Sequence, residues 1–186
     1  MPAARESLLS AAQAALTHRP WATVRMVDVA AVAGVSRQTL YNEFSSKEGL
    51  GAALVERRTE AFVRGAATAA ATARRAGGDP AVCCASAAGW LVYRAKEEPL
   101  VRAALTGSWD ARLPLPGDSP ELLLRRLCER LVAVLGGPEQ VPPRAVETGL
   151  RLALSYVVAP PAEPEVPARV ADTVTALLRR RTTSPY

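Results

Sequence analysis

Apolar positions recur along this chain at helical spacing, in blocks separated by glycine and proline. Leu8, Leu9, Ala12, Ala15 and Leu16 form one stripe that predicts a first helix in the N-terminal segment, stopped by Pro20. Trp21 is then expected to plug the base of a small domain. Residues 27–33 read as a short second helix, Gly34, Val35 and Ser36 as a turn, and 37–44 as a third short helix. Ser45 followed by Glu48 has the spacing of a capping box, so a long helix is expected to open there and run to about Arg75. Gly77, Gly78, Asp79 and Pro80 break the pattern, and 81–96 resumes it with Trp90, Leu91 and Tyr93 as its bulky members. Residues 100–105 read as another short helix and 107–120, with Pro114, Pro116 and Gly117, as a loop. Leu123, Leu124, Leu127, Leu131 and Val134 carry a helix over 121–135. Two more are expected at 144–158 and about 166–181, separated by Pro160, Pro161 and Pro164, with 182–186 as a tail. No segment alternates convincingly with period two. The expected fold class is therefore all-α, with a trihelical head at 1–47 and a helical body at 48–186.

Within the head, Ala30 stands four residues before Gly34, a small residue where two short helices meet and a glycine where the chain turns. Val29, Ala33, Val35 and Leu40 supply apolar contacts that lock this pair, and Ser36 caps the helix that follows. Arg37, Gln38, Tyr41 and Asn42 are left to face outward from its N-terminal half, the end that approaches base edges in a DNA-reading helix-turn-helix. Composition adds little to this picture. The chain of 186 residues carries a net charge of +5. Yet in residues 1–50 only Arg5, Arg19, Arg25, Arg37 and Lys47 oppose Glu6, Asp28, Glu43 and Glu48. Lys47 and Lys96 are the only lysines, a bias that GC-rich codon usage explains as well as phosphate binding does.

Val27, Asp28, Val29, Ala30, Ala33, Gly34, Val35, Ser36, Thr39, Leu40, Tyr41, Phe44, Lys47 and Glu48 resemble the signature of the TetR family. The match covers about the first quarter of the chain; the remaining helices agree with the family in number and order. The resemblance implies a homodimer on double-stranded operator DNA of pseudopalindromic sequence, most often a repressor, released by a small-molecule effector bound in the body. It also implies that Tyr41 and Lys47, helped by Thr39, contact phosphates. Ser36 belongs to the same DNA-facing set, and Arg37, Gln38 and Asn42 are the candidates for base contacts. Two positions depart from the family. Arg25 stands where Thr or Ser usually caps the second helix, and an arginine there can hold a phosphate instead; Glu43 stands where His or Tyr is common. These departures motivate an alternative, a helical ligand- or partner-binding protein whose head does not bind DNA.

In the body, Phe62, Trp90, Tyr93, Trp109 and Tyr156 are candidates to line an effector cavity or to pack the core, and Trp90 with Tyr93 is the preferred pair. Val146, Gly149, Leu150, Ala153 and Val157, with Val166, Val170, Val174, Leu177 and Leu178, form stripes suited to a four-helix dimer interface or to internal packing. Two-fold symmetry favours the interface. Cys83, Cys84 and Cys128 lack metal-ligand spacing and His18 is the only histidine, so no metal and no cofactor are expected and the thiols read as small core residues. With no phosphate-cradling glycine loop and no nucleophile elbow, enzymatic function is a poor fit. Arg5, Glu6 and Gln13 interrupt the first apolar stretch, against a signal peptide, and no run approaches about 20 uncharged apolar residues, so a cytoplasmic protein without a membrane span is expected.

Overall fold

The computed structural model describes residues 2–160 and 165–182, and among these the regular structure is helical with no strand. Pro161, Pro164 and residues 183–186 lie outside them. The helices are α1 (Pro2–His18), α2 (Met26–Ala33), α3 (Arg37–Phe44), α4 (Lys47–Arg75), α5 (Pro80–Glu97), α6 (Pro99–Thr106), α7 (Pro120–Val134), α8 (Pro143–Val158) and α9 (Val166–Thr182), with a short 3-10 turn at Trp21–Thr23. The chain divides into two compact units, Met1–Thr59 with Ser108–Asp118, and Glu60–Gly107 with Ser119–Tyr186. Where the periodicity suggested a head ending at 47, the first unit continues to Thr59 inside α4 and takes in the proline-rich loop.

In the first unit, α1 packs on α2 and α3, and these two pack on each other. Leu8, Ala12, Val29, Ala30, Leu40, Leu50 and Leu54 are its buried centre. Trp21 is buried, and its backbone N–H donates to the Arg112 carbonyl at 2.9 Å, which ties the 108–118 loop to the turn after α1. A methyl on Gly51 would meet Pro114 Cβ at 2.8 Å and Trp21 Cζ2 at 3.1 Å, so glycine on α4 is what admits this plug. Trp109 lies in this loop and therefore belongs to the first unit, not to the body in which the sequence placed it.

The start of α4 corrects another expectation. Ser45 has φ 59° and closes α3, its N–H donating to the Tyr41 carbonyl. Ser46 is the residue that caps α4, its Oγ accepting from Gly49 N–H at 3.1 Å. The chain must reverse for one residue between the two helices, and that residue cannot also hold the cap geometry. Glu48 accepts from its own N–H and from the Ser46 hydroxyl, which holds its carboxyl below the ordinary range.

In the second unit α5 packs against α8 and α9, which also pack on each other, while α7 packs on α6 and α8. Ala81, Cys83, Cys84, Ala85, Ala87, Ala88 and Ala95 give α5 a buried surface of small side chains. Gly149 of α8 meets α9 so closely that a methyl there would lie 3.0 Å from Val174 and 3.3 Å from Val170. Val146, Leu150, Ala153, Val157, Val166, Val170 and Val174 are buried within the single chain. The stripes assigned to a dimer interface are thus largely consumed by intramolecular packing; periodicity identifies a buried face without saying which neighbour buries it. Arg126 of α7 pairs with Glu60 of α4 at 2.7 Å, and Arg74 donates to the Val134 carbonyl at the end of α7.

Candidate nucleic-acid interface

The turn between α2 and α3 is a Schellman closure. Gly34 has φ 69° and ψ 27°, its N–H donates to Ala31 O at 3.2 Å, and the Val35 N–H donates to Ala30 O at 3.1 Å. Only glycine adopts this left-handed conformation without a steric cost, which explains its place in the motif. Extended Ser36 follows, and its Oγ accepts from Thr39 N–H at 3.0 Å. The Ser36 and Thr39 hydroxyls lie 2.9 Å apart, so both side chains are engaged in the cap.

With its N-terminus capped and Leu40 and Phe44 buried, α3 presents one polar face. Arg37, Gln38, Tyr41 and Asn42 line an open groove of about 360 Å³ on it. All four are exposed. The Arg37 guanidinium lies 5.4 Å from the centroid of the Tyr41 ring, a cation–π geometry that restricts a long side chain before any ligand arrives. The structure therefore brings these four sequence candidates together. Glu43 is half-buried, at the side of this face.

The remaining candidates are spread around the motif. Lys47 donates from Nζ to the Ala22 carbonyl at 2.9 Å and lies 5.7 Å from the Trp21 ring, so it joins the start of α4 to the turn before α2. Arg25 precedes α2 without a side-chain cap bond. Its Nε and Nη2 donate to the two Asp28 carboxylate oxygens at 3.2 and 3.0 Å. Arg19 reaches the same carboxylate, Nη1 to Oδ2, at 3.4 Å. The hydrogen bond from Arg25 holds the Asp28 carboxyl below its ordinary range. Sequence reasoning missed Arg19, because it stands nine positions before Asp28, with the 3-10 turn Trp21–Thr23 and the start of α2 between them, and no periodic signal crosses that turn.

The aromatic candidates separate. Phe62 is buried and packs on Trp90 with ring centroids 5.1 Å apart and planes at 50°. Trp90 also covers Gly65, where a methyl would come within 2.1 Å of Cζ2. Tyr93 is 61% exposed, so it is Phe62 and not Tyr93 that partners Trp90. Tyr156 is half-buried near Arg169. Two open grooves of the second unit, about 430 and 450 Å³, are lined by other residues, among them Arg64, Ala67, Ala71 and Arg130 in the one and Pro138, Pro142, Arg144 and Leu177 in the other. Cys83 and Cys84 are buried free thiols and Cys128 is half-buried. Among the described residues no group of three or more His, Cys, Asp or Glu side chains is placed to hold a metal ion, and no helix is long and apolar enough to cross a membrane.

Residues 8–54, which include the whole helix-turn-helix, match the family model described as bacterial regulatory proteins, tetR family. Over 186 aligned residues the chain is 32% identical to the HTH-type transcriptional regulator AlkX of Mycobacterium tuberculosis (strain ATCC 25618 / H37Rv), covering 95% of this chain and 85% of that protein. The fold is shared with the TetR family repressor AlkX from Dietzia sp. strain DQ12-45-1b, a protein implicated in biodegradation of n-alkanes. That structure has a TM-score of 0.63, 23% identity and 95% coverage of both chains. A TetR transcriptional regulator from Rhodococcus sp. RHA1 aligns with a TM-score of 0.55 and 19% identity over 95% of this chain and 96% of that one. With a capped recognition helix, a glycine turn and a relative at this identity over nearly its full length, the chain belongs to the TetR family of DNA-binding transcriptional regulators.

Proposed function

We propose that the chain is a non-enzymatic, cytoplasmic repressor that binds a pseudopalindromic operator as a homodimer and leaves it when a small apolar effector binds the second unit. The observation that carries the reading is the continuous face of Arg37, Gln38, Tyr41 and Asn42 on the N-terminal half of a capped helix. In the major groove, Arg37 is the donor suited to guanine O6 and N7, and the Gln38 and Asn42 amides suit adenine. The Tyr41 hydroxyl, Ser36, Thr39, Lys47 and Arg25 are assigned to the phosphates. Lys47 has Nζ protons beyond the one given to Ala22 O, and the anion-attracting end of α4 lies beside it.

Homodimerisation is supported by the half-buried α9 positions Ala171, Thr175 and Leu178, spaced by four and three on one face, and by half-buried Leu152 on α8. These remain after the inner stripes are filled. Effector coupling is assigned to α4, one uninterrupted helix that contributes to both units. Phe62, Trp90 and Tyr156 stay candidates for the effector site, while Trp109 and exposed Tyr93 are weaker ones on their placement.

The test is equilibrium binding to the DNA upstream of the protein's own coding sequence. Arg37→Ala is expected to cost about 1–3 kcal/mol and to relax discrimination at one base position. Tyr41→Phe is expected to weaken binding evenly across operator variants, as removal of a phosphate hydrogen bond does. Wild-type affinity in both variants would sink the assignment. n-Alkanes are the first effectors to titrate, given the biodegradation in which the Dietzia repressor is implicated. If every compound that binds the protein leaves operator affinity unchanged, effector release is wrong.

A further inference from the structure

Asp28 is an acidic residue at the N-terminal end of the first helix of a DNA-binding motif, the helix that crosses the phosphate backbone in this architecture. A lone carboxylate there opposes binding. Here it is shared by two guanidinium groups, Arg25 through Nε and Nη2 and Arg19 through Nη1. We propose that Asp28 is a positioning residue that holds Arg19 and Arg25 as a two-arginine clamp for the DNA backbone. The inference rests on the assignment of Arg25 to a phosphate above and adds Arg19 and Asp28 to it.

The bonding leaves the required chemistry free. Arg25 meets Asp28 side-on through Nε and Nη2, so both Nη1 protons and the outer Nη2 proton point away from the carboxylate. That remaining edge is the planar fork that matches two phosphate oxygens. The Arg25 side chain is 74% exposed and that of Arg19 41%, while Asp28 is 25% exposed, so the anion sits behind its cations. Two positive charges against one negative leave the cluster with net charge +1 toward the DNA. An unrestrained arginine must lose its rotamer freedom on binding; these two have lost part of it already.

The sign of one substitution tests this. Simple charge counting says that Asp28→Asn, by removing a negative charge beside DNA, tightens binding. Positioning by the carboxylate says that it weakens operator binding, about threefold or more, and lowers the slope of log affinity against log salt by about 0.9 for each phosphate that the arginines no longer neutralise. Asp28→Glu is expected to restore much of both. In an Arg19→Ala/Arg25→Ala background the carboxylate has nothing left to position, so Asp28→Asn there should tighten binding. Thermal unfolding of each variant accompanies the titrations. Tighter binding by Asp28→Asn in the otherwise wild-type protein, or equal weakening in both backgrounds, would overturn the proposal. If the Arg19→Ala/Arg25→Ala protein binds like wild type with an unchanged salt slope, the phosphate assignment of Arg25 fails and the clamp fails with it. Arg37→Ala, read in parallel, reports on the recognition helix independently of either.

Discussion

Arg57 on α4 donates from Nη2 to the side-chain oxygen of Gln13 on α1 at 2.7 Å. The same guanidinium serves the Leu9 carbonyl at 3.1 Å, the Ser10 hydroxyl at 3.1 Å and the Glu6 carboxylate. One side chain thus satisfies a full turn and more of α1, and it does so two residues before the division between the units inside α4.

Arg57→Ala is accordingly expected to destabilise the first unit by about 1–3 kcal/mol, since it removes several bonds and leaves partly buried acceptors unmatched. Urea unfolding followed by circular dichroism measures the change. A loss below about 0.5 kcal/mol would show that these bonds behave as ordinary surface pairs.

The two serines before α4 have opposite expected responses. Ser46→Ala removes the bond to Gly49 N–H and is expected to lower stability by about 0.5–2 kcal/mol. Ser45→Gly is expected to raise it by up to about 1 kcal/mol, because a backbone with φ 59° costs a non-glycine residue energy. The reverse ordering of midpoints in thermal unfolding would return the cap to Ser45.

Burial first, and then the neighbouring Cys83, Cys128 and Asp79, push the Cys84 thiol up to about 12. In the unfolded chain the thiol releases its proton near the ordinary value of about 8.5, so above that pH the native state holds more protons than the unfolded one. Stability is therefore fully present below about pH 8.5 and declines as pH rises toward 12. Urea midpoints measured between about pH 8 and pH 10 should fall more steeply for wild type than for Cys84→Ala. Parallel curves would contradict the assignment. Native Cys84 should also resist alkylation until the chain unfolds.

The helices, the glycine turn, the Ser36 cap and the outward set on α3 were legible from residue order because each depends on partners within about four positions, where helical geometry dictates who meets whom. The long-range contacts around it were not. Arg19 reaches Asp28 only once the chain after α1 turns back on α2, and Lys47 finds the Ala22 carbonyl 25 positions away. Apolar periodicity on α8 and α9 showed that a face is buried, while the packing of Gly149 against Val170 and Val174 showed that the same chain buries most of it. Trp109 likewise went with the head because its loop joins Trp21 and Gly51, and Trp90 turned to Phe62 because Gly65 leaves room for an indole. Backbone hydrogen bonding is local and readable along the chain; the choice among apolar or charged partners far apart in sequence is made by the closed fold, which alone sets their distances.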